Sequence, residues 1–248
     1  MTKAKNVKLL DENGRRNDGR LPGEMRPLKI EAGVLKNADG SAYVELGNNK
    51  VVAAVYGPRE VTPRHEAVSD KAILRCKYTM LPFSVAERKS PQPSRREVEL
   101  SKVIREALTP AIFLNDYPRT TIDVFINILE ADGGTRTASI TAAAVALADA
   151  GIAMRDLVAA IAVGKIQDVL VLDINGLEDQ YGDGDMPIAM MPKLGEITLI
   201  QADGVFTREE IEQALTMVSN PIKRIYEEQV KALKNKYESA RQEVSESE

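Results

Sequence analysis

One stretch of this chain constrains its fold more than any other. Thr121–Glu130 places Ile122, Val124, Ile126 and Ile128 on one face and Phe125 and Leu129 on the other. A strand apolar on both faces is largely buried. Asp132-Gly133-Gly134 then breaks the chain. A helix of small residues follows from Thr135 to Ala150 and stops at Gly151, where a C′ glycine belongs. Its alanines permit close packing against a sheet. A largely buried strand, a glycine break and an alanine-rich helix able to pack on a sheet therefore follow one another, and with no Trp and 4% aromatic residues the core is aliphatic.

Around this centre the pattern alternates. Short apolar runs at Leu28–Leu35, Ala42–Leu46, Lys50–Tyr56 and Ile73–Met80 read as strands separated by Gly, Asn and Asp turn chemistry. Ile73–Met80 has one polar, basic face. Ser94 and Glu97 form a capping box. Leu100, Val103, Ile104, Ala107, Leu108 and Ala111 then give a helical stripe. The second half carries strands at Leu157–Val163, Asp168–Asp173, Ile188–Met191 and Ile197–Gln201. A second capping box lies at Thr207 and Glu210, and a last helix is expected to begin at Pro221. Its seam runs through Tyr226, Val230, Leu233, Tyr237, Ala240 and Val244. The fold class is α+β in two comparable halves, roughly 16–150 and 151–243. Residues 1–15 are expected to be a flexible N-terminal segment and 244–248 a frayed tail.

At 248 residues the chain is long enough for one large domain. It carries one Cys, Cys76, so no internal disulfide forms, and one His, His65. A histidine-rich metal centre and a cysteine-rich zinc knuckle are excluded. The N-terminus is polar, with no apolar run long enough for a signal peptide, and no stretch of the chain approaches the length of a membrane span. A cytoplasmic location is expected.

The net charge of −4 excludes a uniformly basic body. It conceals an uneven distribution. Residues 57–106 hold eleven Lys or Arg against seven Asp or Glu. Arg95 and Arg96 stand in the first turn of a capped helix, where the helix dipole disfavours cations and favours anions. Either they are solvated surface or something negative binds there. Asp132-Gly133-Gly134-Thr135-Arg136 is either a capped tight turn or an anion site made of helix N–H groups, a hydroxyl and a guanidinium. Glu178, Asp179, Asp183 and Asp185 crowd four carboxylates into a Gly-containing link between strands. That is a polar hairpin, a cation site or a source of raised carboxyl pKa. Gly182-x-Gly184 breaks the dinucleotide fingerprint, and the EF-hand spacing is absent. His65 reads as a surface histidine and Cys76 as a small buried hydrophobe.

Taken in order, Arg16-Asn-Asp-Gly-Arg20, Leu35-Lys-Asn-Ala-Asp-Gly-Ser41, Val55-Tyr-Gly-Pro58, Pro93-Ser-Arg-Arg-Glu97, Ala131-Asp-Gly-Gly-Thr-Arg136 and Glu178-Asp179 with Asp185-Met-Pro187 resemble the RNase PH superfamily of phosphorolytic 3′→5′ exoribonucleases. The resemblance runs from about residue 16 to 240. The Pro-Ser-Arg-Arg-Glu motif and the Arg-Asn-Asp-Gly-Arg opening make it closer to the catalytic ring subunit of the archaeal exosome than to bacterial RNase PH.

The resemblance implies an RNase PH fold of two β-α-β-α halves, each related to the second domain of ribosomal protein S5. It implies a hexameric ring, a trimer of heterodimers with a paired non-catalytic RNase PH-like subunit, topped by RNA-binding cap proteins. Arg96, Gly134, Thr135 and Arg136 match the site for inorganic phosphate, the co-substrate. Arg64 and Arg95 match positions holding the backbone of single-stranded RNA. Asp179 and Asp185 match the paired acids that act as catalyst and hold Mg²⁺ or Mn²⁺, without saying which does which. Pro187 departs from the related polynucleotide phosphorylases, which carry Lys there. The alternatives are a non-catalytic RNA-binding ring scaffold and a hydrolytic, metal-dependent exoribonuclease.

Overall fold

The computed structural model describes residues 8–246, with side chains described through residue 238. Strands β1 (Leu28–Ala32), β2 (Gly40–Leu46), β3 (Asn49–Glu60), β4 (Ile73–Met80) and β5 (Thr120–Glu130) form the first sheet. Its order is β1-β2-β3-β5-β4, with β4 parallel to β5 and the other pairs antiparallel. Helices α1 (Arg95–Leu108) and α2 (Thr135–Asp149) follow β4 and β5 respectively.

The second half contains β6 (Ala159–Ile166), β7 (Val169–Leu172), α3 (Gly176–Tyr181), β8 (Gly184–Met191), β9 (Glu196–Ile200), β10 (Asp203–Gly204) and α4 (Arg208–Glu246). Its sheet runs β10-β8-β6-β7, with β9 also paired to β8. The expected α+β class is what is found, with the strands in two sheets.

Helix α2 is the hinge of the packing. Ala138 and the run from Ile140 to Leu147 are buried almost without exception. The helix touches β2 and β3 on one side and β6, β8 and α4 on the other. Alanine makes this possible, because a larger residue on either face would hold a sheet away. Gly40 shows how close the approach is: a Cβ there would lie 2.2 Å from the Ala150 nitrogen. Ile104, Leu108, Ile122, Ile126 and Ile128 fill the first core, and Ile161, Ile188, Val218, Ile222 and Ile225 the second.

Two expectations are corrected, and one of the open readings is closed. Pro221 does not begin a helix; it lies within the continuous α4. Proline forfeits one backbone hydrogen bond, a cost of about 3 kcal/mol. Ala214, Val218, Ile222 and Ile225 on either side of it are all buried, and that burial offsets the loss. The flexible N-terminal segment was expected to reach residue 15, but Leu9 and Leu10 pack against Ala162, Ile166, Val171 and Ile174. The link from 178 to 185 is no hairpin, because α3 occupies it and β8 begins at Gly184. Residues 1–7, the side chains of Ala240 and Val244, and the last two residues of the tail lie outside the described residues. Among the described residues no helix is long and apolar enough to cross a membrane.

Candidate active site

The site is assembled from three helix starts and one strand. Strand β5 ends in Asp132-Gly133-Gly134, and both glycines have φ of +67°, a conformation that disfavours any Cβ. Gly134 is the N-cap of α2 and offers no side-chain cap. The first N–H groups of the helix therefore have no partner in the helix itself. The loop is held from outside. The Asn49 amide donates to the Gly133 carbonyl and accepts from the Asp132 N–H. The buried Arg26 guanidinium donates to the carbonyls of Asp132, Gly133 and Ile174 while pairing with both oxygens of Asp173. Burial works against the Arg26 charge, but the Asp173 carboxylate outweighs it and holds the pKa above the ordinary value.

Helix α1 begins at the expected capping box. Ser94 Oγ accepts from the Glu97 N–H, and Glu97 accepts from the Ser94 N–H at 2.7 Å. The other Glu97 oxygen accepts from the Met80 N–H at 2.8 Å, which ties α1 to the end of β4. Burial raises the Glu97 pKa, yet the Ser94 and Met80 N–H groups bring it below the usual carboxylate value. This leaves Arg96 on the helix start, turned toward α2.

Helix α3 begins at a third capping box, between Asn175 and Glu178. Glu178 faces inward, where it pairs with Arg16; both side chains are wholly buried. Its neighbour Asp179 consequently faces the cleft. Asp185 reaches the same cleft from β8. Of the four crowded carboxylates, only these two do so. Asp183 instead accepts from the Gln167 N–H.

One narrow cleft is lined by Arg96, Gly134, Thr135, Arg136, Asp179 and Asp185, together with Leu100, Thr137, Ala162 and Pro187. Six of the eight expected site residues thus converge, although they come from both halves. Arg95 is exposed at the α1 start, as Arg96 is, but is not part of the cleft lining. Arg64 lies in a 3-10 turn, exposed and paired with Glu60 at 2.8 Å. Neither lines the cleft. His65 is exposed on the same turn, and burial pushes the Cys76 thiol up to about 12.

Both cleft carboxyls sit above their ordinary pKa. For Asp179 burial is the main cause, opposed by Arg96 and Arg136. For Asp185 burial leads, and the Asp179 charge adds to it. Asp203 raises both. It stands directly across from Asp185 in the β8–β10 pairing. A proton is therefore retained on this pair more readily than on free carboxylates.

Sequence reasoning missed Arg26, Asn49, Tyr78, Gln201 and Asp203. The Tyr78 hydroxyl is 2.9 Å from Thr135 Oγ1, and burial pushes its pKa up to about 12. Gln201 accepts from Arg136 at 2.8 Å. Apart from the alternation that turns Tyr78 off the basic face of β4, no local signal marks them; Arg26, Asn49, Tyr78 and Gln201 each meet a partner across more than fifty residues of chain, and Asp203 meets Asp185 only through the β8–β10 pairing.

Helix N–H groups at the α2 start and two arginines thus face two carboxyls of raised pKa across the junction of the two sheets. Comparison with known proteins gives the class. Residues 24–153 match the model of the 3′ exoribonuclease family, domain 1, and residues 156–217 match domain 2 of that family. The exosome complex component Rrp41 of Thermococcus onnurineus is 59% identical over 98% of both chains. That of Nitrosopumilus maritimus is 58% identical over 92% of this chain and 94% of its own. Among solved structures, rice Rrp46 superposes with a TM-score of 0.77 at 27% identity, covering 86% of this chain and 98% of that one. An Archaeoglobus fulgidus exosome chain, solved with RNA bound to the active site, shares the fold with a TM-score of 0.76 at 23% identity, over 87% of this chain and 92% of its own. The chain belongs to the RNase PH, or 3′ exoribonuclease, family.

Proposed function

We propose that this chain is the catalytic subunit of an archaeal exosome-like ring and shortens single-stranded RNA from its 3′ end by phosphorolysis. The observation that carries the reading is the convergence of Arg96, Gly134, Thr135 and Arg136 with Asp179 and Asp185 in one cleft. Inorganic phosphate binds at the α2 start, on backbone N–H groups, the Thr135 hydroxyl and the two guanidinia. Held there, it attacks the terminal phosphodiester phosphorus. Charge spreading over the phosphoryl oxygens meets Arg96 and Arg136. The departing ribose 3′ oxygen takes a proton from one of Asp179 and Asp185, whose burial keeps that proton available. The products are a nucleoside diphosphate and a shortened RNA. Run in reverse, the same site adds 3′ tails.

The carboxylate pair also suits Mg²⁺ or Mn²⁺ bound in the manner of phosphoryl-transfer sites, by one or two carboxylates with substrate oxygens and water. Among the described residues no group of three or more His, Cys, Asp or Glu is placed to hold a metal ion, so a cage built from protein alone is not the fit. Bound there, the cation would offset negative charge at the leaving oxygen. We assign Arg64 and Arg95, outside the cleft, to the RNA backbone. The partners we infer are a paired RNase PH-like subunit in a hexameric ring and RNA-binding cap proteins, in the cytoplasm.

The test is to incubate the chain, alone and with its paired subunit, with RNA in the presence and absence of phosphate. Nucleoside diphosphates that form only with phosphate support the reading. Monophosphates would support the hydrolytic alternative, and inactivity in every assembly the scaffold alternative; either outcome overturns it.

A further inference from the structure

Arg136 is the one phosphate-site side chain tied by its own side-chain hydrogen bond to the half of the molecule that carries the acids. Its Nη1 donates to Gln201 Oε1 at 2.8 Å. Gln201 is in turn fixed by its backbone: its N–H donates to the Pro187 carbonyl at 3.2 Å. Pro187 lines the cleft two residues beyond Asp185 on β8. A short chain of bonds thus runs from the strand bearing Asp185, through Gln201, to the guanidinium on the α2 start. The Arg136 Nε is buried and without a hydrogen-bond partner. A buried guanidinium donor left open is costly unless a ligand completes it.

The choice of an amide matters chemically. Guanidinium has five N–H donors in a fixed plane. A neutral acceptor at one of them fixes the plane without itself compensating the positive charge. A carboxylate in the same place would hold the plane equally well, but it would satisfy the charge and compete with any anion.

We propose that Gln201 is a positioning residue for the anion site: it orients Arg136 relative to the acid pair and, by being neutral, reserves the guanidinium for inorganic phosphate. This rests on the phosphorolytic reading above and names a specificity element within it. Gln201 touches no reacting atom; it acts through Arg136.

The test uses the chain assembled with its paired subunit, comparing wild type with Gln201→Met and Gln201→Glu. Methionine matches the length of glutamine but lacks the strong acceptor. Its KM for phosphate should rise about tenfold, as expected for loss of a hydrogen bond to a charged group. Gln201→Glu retains the acceptor and the geometry. A merely structural role would leave it close to wild type; here its KM for phosphate should rise at least as far as that of the Met variant, and competition by raised phosphate should restore turnover. KM for RNA should move much less in both. Unchanged KM for phosphate in both variants, beside a phosphate-dependent wild type, would overturn this inference alone. A wild-type Gln201→Glu phosphate response with only Gln201→Met impaired would assign Gln201 a structural role and overturn it too. A wild type that needs no phosphate would overturn the underlying reading and the inference with it.

Discussion

Removing the cation beneath α3 tests how the fold aims Asp179. The Arg16 Nε donates to Glu178 Oε1 at 2.7 Å, a second nitrogen meets Glu178 Oε2, and the Leu172 and Asp173 carbonyls accept from the rest. Both side chains are fully excluded from solvent. Arg16→Met leaves the Glu178 carboxylate buried, with the Asn175 N–H as its remaining hydrogen bond among the described residues. Breaking one side of a buried pair costs about 3–5 kcal/mol. For a chain of this size each kcal/mol shifts Tm by roughly 2–4 °C, so a fall on the order of 10 °C is expected. Because Glu178 immediately precedes Asp179 in the same short helix, kcat should drop about ten- to hundredfold under conditions where the variant remains folded. Urea denaturation, thermal melts and RNA turnover read the three effects. Replacing both partners, Arg16→Met with Glu178→Met, should recover most of the stability, since an apolar pair leaves no stranded charge. A single variant within about 2 °C of wild type, or a double variant worse than the single, would refute the reasoning.

Three further outcomes are expected. Asp185→Asn should abolish turnover while RNA remains bound. Its native pKa is raised by burial and by Asp179, so the folded state binds the proton more tightly than the unfolded chain, and ionisation costs stability as pH rises above the ordinary aspartate value. The variant should thus melt higher than wild type at neutral pH, with the difference vanishing below about pH 4; a lower neutral Tm would contradict the burial argument. Tyr78→Phe frees the Thr135 hydroxyl and should cost about 1 kcal/mol of stability, with a rise in KM for phosphate that kinetics at saturating RNA would show. Arg64→Ala should leave stability and phosphate dependence unchanged, because its exposed pair with Glu60 is worth little, yet reduce the salt slope of RNA binding by about 1.

The local parts of this site were legible in the sequence, and the long-range parts were not. Ser94 and Glu97 announce the start of α1 because a capping box is complete within four residues. The Gly133-Gly134 turn is equally local: two positive φ values between a strand and a helix demand glycine. The link at 178–185 misled for a related reason. Charge density there suggests one acidic cluster, but Glu178 is spent on Arg16, a partner 162 residues away. Pro221 misled because a local rule about helix starts lost to the burial of α4 on the second sheet. Gln201 and Asp203 had no sequence signal, since their importance comes from the pairing of β9 and β10 with β8.

The central claim is that phosphate, not water, receives the terminal nucleotide. The most direct measurement supplies radiolabelled inorganic phosphate to the assembled subunit with unlabelled RNA and separates the mononucleotide products. Label in the β-phosphoryl group of nucleoside diphosphates, absent from Asp185→Asn and weakened in Arg136→Ala at low phosphate, is the expected result. Unlabelled nucleoside monophosphates formed at the same rate with and without phosphate would contradict the account.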